Sequence, residues 1–95
     1  MALDIDDMKV LNDRYGVPVG DRVLAAVASS LVDQARRFDI VARSEGDEFM
    51  VVVEDFDEPA TLGKIARNLL EAVAQPFKIE EHDIYVTSSI GISVY

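Results

Sequence analysis

Ile40-Val41-Ala42-Arg43, Ser44-Glu45-Gly46-Asp47-Glu48 and Phe49-Met50-Val51-Val52-Val53 form the stretch on which the fold turns. Two short runs rich in β-branched residues flank a polar segment too short for anything but a hairpin connection. Upstream, Val23, Leu24, Val27, Ala28, Leu31, Val32 and Ala35 recur at steps of one, three and four, predicting an amphipathic helix from Val19 to Arg37. Downstream, Leu62, Ile65, Ala66, Leu69, Leu70 and Val73 predict a second long helix, opened near Glu58-Pro59 and closed by Pro76. At the start of the chain, Ala2-Leu3-Asp4-Ile5-Asp6 alternates apolar and acidic residues and reads as a strand. Asp7 to Tyr15 follows as a short helix, ended by Gly16 and Pro18. Near the other end, Phe77-Lys78-Ile79 and Ile84-Tyr85-Val86 flank Glu80-Glu81-His82-Asp83 as a second hairpin. Beyond it, Ile84, Val86, Ile90, Ile92 and Val94 are expected to share one face of a final strand.

The order is strand, helix, helix, strand, strand, helix, strand, strand. It predicts an α+β domain with a mainly antiparallel sheet flanked by helices. Ninety-five residues allow one domain with a small core. The chain stops on a strand with nothing after it, which reads as a fragment.

Composition narrows the function. Eighteen acidic residues against 9 basic ones give a net charge of −9. That balance argues against nonspecific binding to nucleic acid or anionic lipid, both of which need a basic footprint. It suits a cation. Cysteine is absent, excluding disulfides, thiolate zinc sites and cysteine nucleophiles. No apolar run approaches the roughly 20 residues of a membrane span, and the N-terminus does not read as a signal peptide. A cytoplasmic location is expected.

Two acidic clusters stand out, Asp4-Asp6-Asp7 and Asp47-Glu48. Either alone is explained equally well by a solvated strand end or turn. If the first strand lies beside the hairpin, however, both sets of carboxylates converge on one sheet edge. Like charges held together raise one another's pKa unless a cation neutralises them. Carboxylate and carbonyl oxygens suit Mg²⁺, which takes its remaining ligands from water and substrate phosphates.

Three stretches carry a resemblance: Leu3-Asp4-Ile5-Asp6-Asp7-Met8-Lys9-Val10-Leu11-Asn12-Asp13-Arg14-Tyr15-Gly16, Val19-Gly20-Asp21 and Ala42-Arg43-Ser44-Glu45-Gly46-Asp47-Glu48-Phe49. Together with Ser88-Ser89-Ile90-Gly91-Ile92-Ser93, they closely resemble the GGDEF domain, the family of the diguanylate cyclases. The resemblance spans essentially the whole chain, residues 1–95, in order and at compatible spacing. It implies a fold similar to the nucleotidyl cyclase and polymerase palm core, shortened at both termini and lacking the family's C-terminal helix. It implies condensation of two GTP into cyclic di-GMP with Mg²⁺ or Mn²⁺, and a homodimer, since each domain holds one GTP.

The resemblance also assigns roles. Asp4 and Asp47 match metal-binding carboxylates, and Ile5 matches a residue offering its backbone carbonyl to the metal. Asp47 first, with Glu48, matches the acids that help deprotonate the attacking ribose 3′-hydroxyl. Asn12 and Asp21 match the pair that reads guanine; a carboxylate accepts from its N1–H and 2-amino edge, while an amide both donates and accepts. As plain helix residues they would equally serve as caps. Asp7 and Met8 stand where backbone N–H groups meet phosphate at a helix opening. Lys9 matches a lysine that stabilises charge on the reacting phosphate. Arg36 and Asp39 match an inhibitory product site for cyclic di-GMP. His82, in a polar hairpin, is given no role.

Departures are specific. The signature reads Glu45-Gly46-Asp47-Glu48-Phe49, with glutamate in place of its first glycine. Glu45 is strained by roughly 1–2 kcal/mol if its φ must be positive, and is accepted if only Gly46 is left-handed. Val17 stands where the family usually has histidine. Phosphate handling is weakened, so binding is expected to survive better than turnover. Ala74-Gln75-Pro76-Phe77 and Tyr85-Val86-Thr87-Ser88-Ser89-Ile90-Gly91 are similar to proteins in which this domain precedes an EAL phosphodiesterase domain. The alternative is therefore a degenerate domain that binds GTP or cyclic di-GMP and regulates an adjacent EAL domain.

Overall fold

A computed structural model of the chain describes residues 1–35, 39–53 and 58–93. The elements run β1 (Ala2–Ile5), α1 (Met8–Tyr15), α2 (Val17–Gln34), β2 (Ile40–Glu45), β3 (Glu48–Val52), α3 (Pro59–Val73), β4 (Phe77–Ile79), β5 (His82–Ile84) and β6 (Ser88–Gly91). β2, β3, β1 and β6 form one sheet in that spatial order, antiparallel throughout; β4 and β5 form a separate two-stranded sheet. The architecture is the α+β arrangement expected, with β1 between the hairpin strand β3 and the late strand β6.

Alternation decides the faces. Leu3 and Ile5 on β1, with Phe49 and Val51 on β3, point to one side and are buried. Val23, Val27 and Leu31 of α2 and Leu69 and Val73 of α3 join them in a single core. Burying side chains of this size stabilises the fold by roughly 1.5–3 kcal/mol each, before conformational entropy is charged against it. The opposite face carries Asp4 and Glu48, paired across β1 and β3, and Ser89, paired with Asp4 across β1 and β6. One row of the sheet therefore holds two acids and a hydroxyl.

Several boundaries differ from the sequence reading, each for a local reason. α2 begins at Val17 rather than Val19, because Pro18 opens it; a proline costs no hydrogen bond in a first helical turn. Its end at Gln34 precedes Arg36, Arg37 and Phe38, which lie outside the described residues. The second hairpin turns on Glu80-Glu81 alone, at φ 49° and 69°, so His82 and Asp83 belong to β5 rather than to the turn. That register pairs Phe77 with Ile84 and keeps both inward.

The expected continuous strand from Ile84 onward is two strands in two sheets. Ile84 and Val86 are buried, Ile90 in β6 is half-buried and Ile92, just past β6, is exposed, so the shared face fades along β6 and is lost beyond it. Val94 lies outside the described residues.

Candidate functional site

The site starts at the β2–β3 turn. Gly46 takes the left-handed conformation at φ 44°, and Glu45 is a strand residue paired with Glu48 across a register shift. Of the two turns the sequence allowed, the fold uses the one in which glycine alone bends. The Arg43 Nε–H donates to the Gly46 carbonyl at 2.6 Å and ties the strand to its own turn. The Asp47 carbonyl accepts the Ile5 N–H at 3.1 Å, locking this turn to the end of β1.

That lock gathers the acids. Asp4 and Glu48 stand opposite each other on β1 and β3. Asp4 is exposed as a residue, yet its carboxyl is raised above the ordinary 3.8 by partial loss of solvent first. Next come the charge of Glu48 and its hydrogen bond, followed by the charges of Asp47 and Asp6. The convergence expected of the two clusters is present, with Glu48 as Asp4's cross-strand partner. Among the described residues no three acidic or histidine side chains gather closely enough to cage an ion by themselves. Mg²⁺ seldom uses such cages, binding through one or two carboxylates and completing its shell with water and phosphate oxygens. Hard oxygen donors, crowded enough to favour protonation, fit a hard divalent cation.

Asp6 has a different task. Its carboxylate accepts the Thr87 hydroxyl at 2.9 Å and the Ser89 hydroxyl at 3.1 Å, and its N–H donates to the Thr87 carbonyl at 2.9 Å. This clamp ties the loop after β1 to the approach of β6. The sequence reading gave Asp6 no separate role; the polar face of Thr87 and Ser89 was the only signal, and it lies 81 and 83 residues away.

Beside the acids opens a cavity of about 510 Å³, whose lining includes Lys9, Asn12, Asp21, Arg43, Gly46 and Asp47. The two residues matched to guanine reading come from different helices and meet in it. Neither is a cap: Asp7 precedes α1 and Gly16 precedes α2, while Asn12 and Asp21 lie inside those helices. The capping explanation is thereby removed. Val17 lines the same cavity and is exposed. Asp7, at φ 57°, opens α1, and the first N–H groups of a helix have no acceptor within it. Those groups, including Met8 and Lys9, stand at the end of α1 next to the acidic turn.

A second cavity of about 490 Å³ is lined by Asp6, Tyr15 and Thr87 among others, but holds none of Asp4, Asn12, Asp21 or Asp47. His82 is exposed, and its ring lies 5.3 Å from that of Tyr15 at a tilt of 54°. Of the expected product site, Asp39 is half-buried just before β2, and Arg36 lies outside the described residues.

Comparison with known proteins gives a consistent answer. Residues 1–95 match a protein family described as diguanylate cyclase, GGDEF domain. The chain is 38% identical over 95 residues to the bifunctional diguanylate cyclase/cyclic di-GMP phosphodiesterase MucR of Pseudomonas aeruginosa, covering all of this chain and 14% of that protein. A crystal structure of a sensory box/GGDEF family protein from Caulobacter crescentus superposes with TM-score 0.91 at 34% identity, covering 99% of this chain and 61% of that one. The GGDEF domain of TpbB from Pseudomonas aeruginosa superposes with TM-score 0.88 at 32% identity, covering 92% of this chain and 55% of that one. The chain thus spans a small part of its full-length relative and little more than half of the solved domains. Among the described residues, no helix is long and apolar enough to cross a membrane.

Proposed function

Because the chain belongs to the GGDEF family of diguanylate cyclase-type domains in cyclic di-GMP signalling, we propose that it binds GTP and condenses two GTP into cyclic di-GMP. The observation that carries this reading is the double position of Asp47. It lines the cavity with Asn12 and Asp21, and its charge reaches Asp4. A nucleotide whose base lies between Asn12 and Asp21 therefore has acids at hand for its sugar and phosphates.

Asn12 and Asp21 read the guanine edge, the carboxylate accepting from N1–H and the 2-amino group. The N–H groups of Asp7, just before α1, and of Met8, its first residue, hold phosphate oxygens at the positive end of the helix. Lys9 offsets charge developing on the α-phosphate. Asp4, the Ile5 carbonyl and Asp47 hold Mg²⁺ or Mn²⁺, which when bound supplies Lewis-acid polarisation of the phosphate oxygens. Asp47, with Glu48, accepts the proton of the ribose 3′-hydroxyl as that oxygen bonds to the α-phosphorus of the other GTP and pyrophosphate departs. Two such transfers close the ring, so two copies must face each other. A cytoplasmic location follows from the substrate.

A second reading rests on Val17 and Glu45. An apolar Val17 in the cavity wall offers no hydrogen bond to a nucleotide, and Glu45 adds a negative charge to the signature sequence. In that reading the domain binds GTP or cyclic di-GMP without turnover and regulates an adjacent EAL phosphodiesterase domain. The two activities in MucR's name support such a pairing. Incubation of the full-length protein with GTP and Mg²⁺ separates the readings. Cyclic di-GMP formation supports the cyclase; binding of GTP or cyclic di-GMP without product supports the sensor; absence of binding to either nucleotide, with and without Mg²⁺, overturns both.

A further inference from the structure

Gly20 sits inside α2, where glycine forfeits helix propensity relative to alanine. Its φ lies outside the left-handed region, so backbone conformation does not call for glycine there. Space does. A Cβ at Gly20 would collide with Asn12 Oδ1 and come within 2.9 Å of Asn12 Cγ and 3.6 Å of Nδ2. The whole amide of Asn12 lies against the bare Cα of Gly20, and Gly20 is buried beneath it.

The backbone on both sides is already held. The Asn12 carbonyl accepts the Gly16 N–H at 2.8 Å, and the Gly16 carbonyl accepts the Gly20 N–H at 3.1 Å. One residue, Gly16, joins the two helices through these bonds. With the main chain of Asn12 fixed by this corner, only the direction of its side chain remains free, and the missing Cβ at Gly20 sets it.

We propose that Gly20 is the positioning residue for Asn12: its bare Cα forms the slot in which the amide lies, and this aims the amide at a guanine base in the cavity. The inference rests on the guanine-reading role given to Asn12 and Asp21 above. Asp21 follows Gly20 directly on α2, so the slot and the second guanine-reading side chain are held in register by one turn of helix. A methyl group at position 20 turns the amide out of the slot. Asn12 is the flexible partner and gives way, leaving the helices in place.

The test is a cycle of four full-length chains: the natural one, Gly20→Ala, Asn12→Ala and the double variant. Each is titrated with GTP and Mg²⁺ and unfolded in urea. Gly20→Ala is expected to weaken GTP binding by about tenfold, as Asn12→Ala does, since either loses the amide's hydrogen bonds to the base. The double variant should bind no worse than Asn12→Ala alone, a non-additivity that a merely structural change would not produce. In urea, Gly20→Ala should raise the midpoint only when combined with Asn12→Ala, where the methyl meets no amide. Unchanged GTP affinity in Gly20→Ala, or an equal fold-loss in both backgrounds, overturns the proposal. If Asn12→Ala binds GTP as the natural chain does, the guanine-reading role fails instead. The urea midpoints then still decide the slot, with equal shifts in both backgrounds ruling it out.

Discussion

The β2–β3 and β4–β5 hairpins are both two-residue turns rich in acid, yet they differ in every physical respect that matters. Gly46-Asp47 bends with a glycine at φ 44°, whereas Glu80-Glu81 bends with two non-glycine residues at φ 49° and 69°. Both acids of the second turn are exposed, and one of them forms an exposed ion pair, Arg22 Nη1 to Glu80 Oε1 at 3.2 Å. The first turn lies beside β1, where Asp4 and the Asp47 carbonyl bond to Ile5 add a second acidic strand end. The second lies in its own two-stranded sheet, packed on α2. Acid in a turn becomes a candidate site through sheet topology, which decides what other charges meet it.

The largest expected effect tests that contrast directly. Asp47→Ala should weaken Mg²⁺-dependent GTP binding by about 10–100-fold, the loss typical when a metal's supporting group is removed. Glu81→Ala should leave binding unchanged. Calorimetric titration of both variants with and without Mg²⁺ checks the pair, and equal effects would erase the distinction between the two hairpins.

Backbone strain gives the next largest effect, with opposite signs. At Gly46 a Cβ would meet open space, so Gly46→Ala should lose about 1–2 kcal/mol of stability through its left-handed φ alone. Replacing Glu80-Glu81 by Asn-Gly relieves two left-handed glutamates and should gain up to about 1 kcal/mol, because that dipeptide favours a turn with both φ positive. Urea unfolding of the two variants measures both. A stabilised Gly46→Ala would mean that the first turn does not hold its left-handed form in solution.

These turns also mark what was legible in the sequence. Alternation over Ala2–Ile5 was enough to turn Asp4 away from the core, because a period of two leaves no other choice once Leu3 is buried, whereas Glu48, read as part of the hairpin connection, is the first residue of β3. The polar run Glu80 to Asp83 did not say where to turn; that depended on Phe77 facing Ile84, a pairing visible only once the strands meet. The break between β5 and β6 was hidden for a similar reason. From Ile84 to Val94 every second residue is apolar except Ser88, while the Asp6 clamp on Thr87 and Ser89 joins opposite ends of the chain. The contact of Asn12 with Gly20 was equally invisible, since local pattern carries no information about how closely two helices approach.

Protonation sharpens the comparison further. Asp4 is raised above its ordinary 3.8, first by partial loss of solvent and then by Glu48, Asp47 and Asp6. A carboxyl raised on folding contributes stability fully present below its unfolded pKa and lost as pH rises through its folded one. Stability should therefore decline across that acidic window, and Asp4→Asn should flatten this part of the decline. Mg²⁺ should move the Asp4 midpoint back down, as a bound cation favours the ionised form. Carboxyl-carbon NMR titration of Asp4 reads both shifts; a midpoint indifferent to Mg²⁺ would separate the acid corner from metal binding.

The smallest expected effect belongs to the second hairpin and concerns α2. Asp21 faces the cavity and its neighbour Arg22 reaches Glu80, so one helix serves both turns. The Arg22 and Glu80 side chains are 61% and 55% exposed, and an exposed pair of this kind gains little over hydration and side-chain entropy. Arg22→Gln should therefore cost no more than about 0.5 kcal/mol, or roughly 2–4 °C in thermal midpoint for a domain of this size. Even that difference should shrink in concentrated salt. GTP affinity should not move, because the α1–α2 corner at Gly16, rather than the ion pair, holds Asp21 opposite Asn12. A fall in GTP affinity without a matching fall in stability would mean that the second hairpin steers α2, and the contrast between the two turns would then be one of distance and no longer of function.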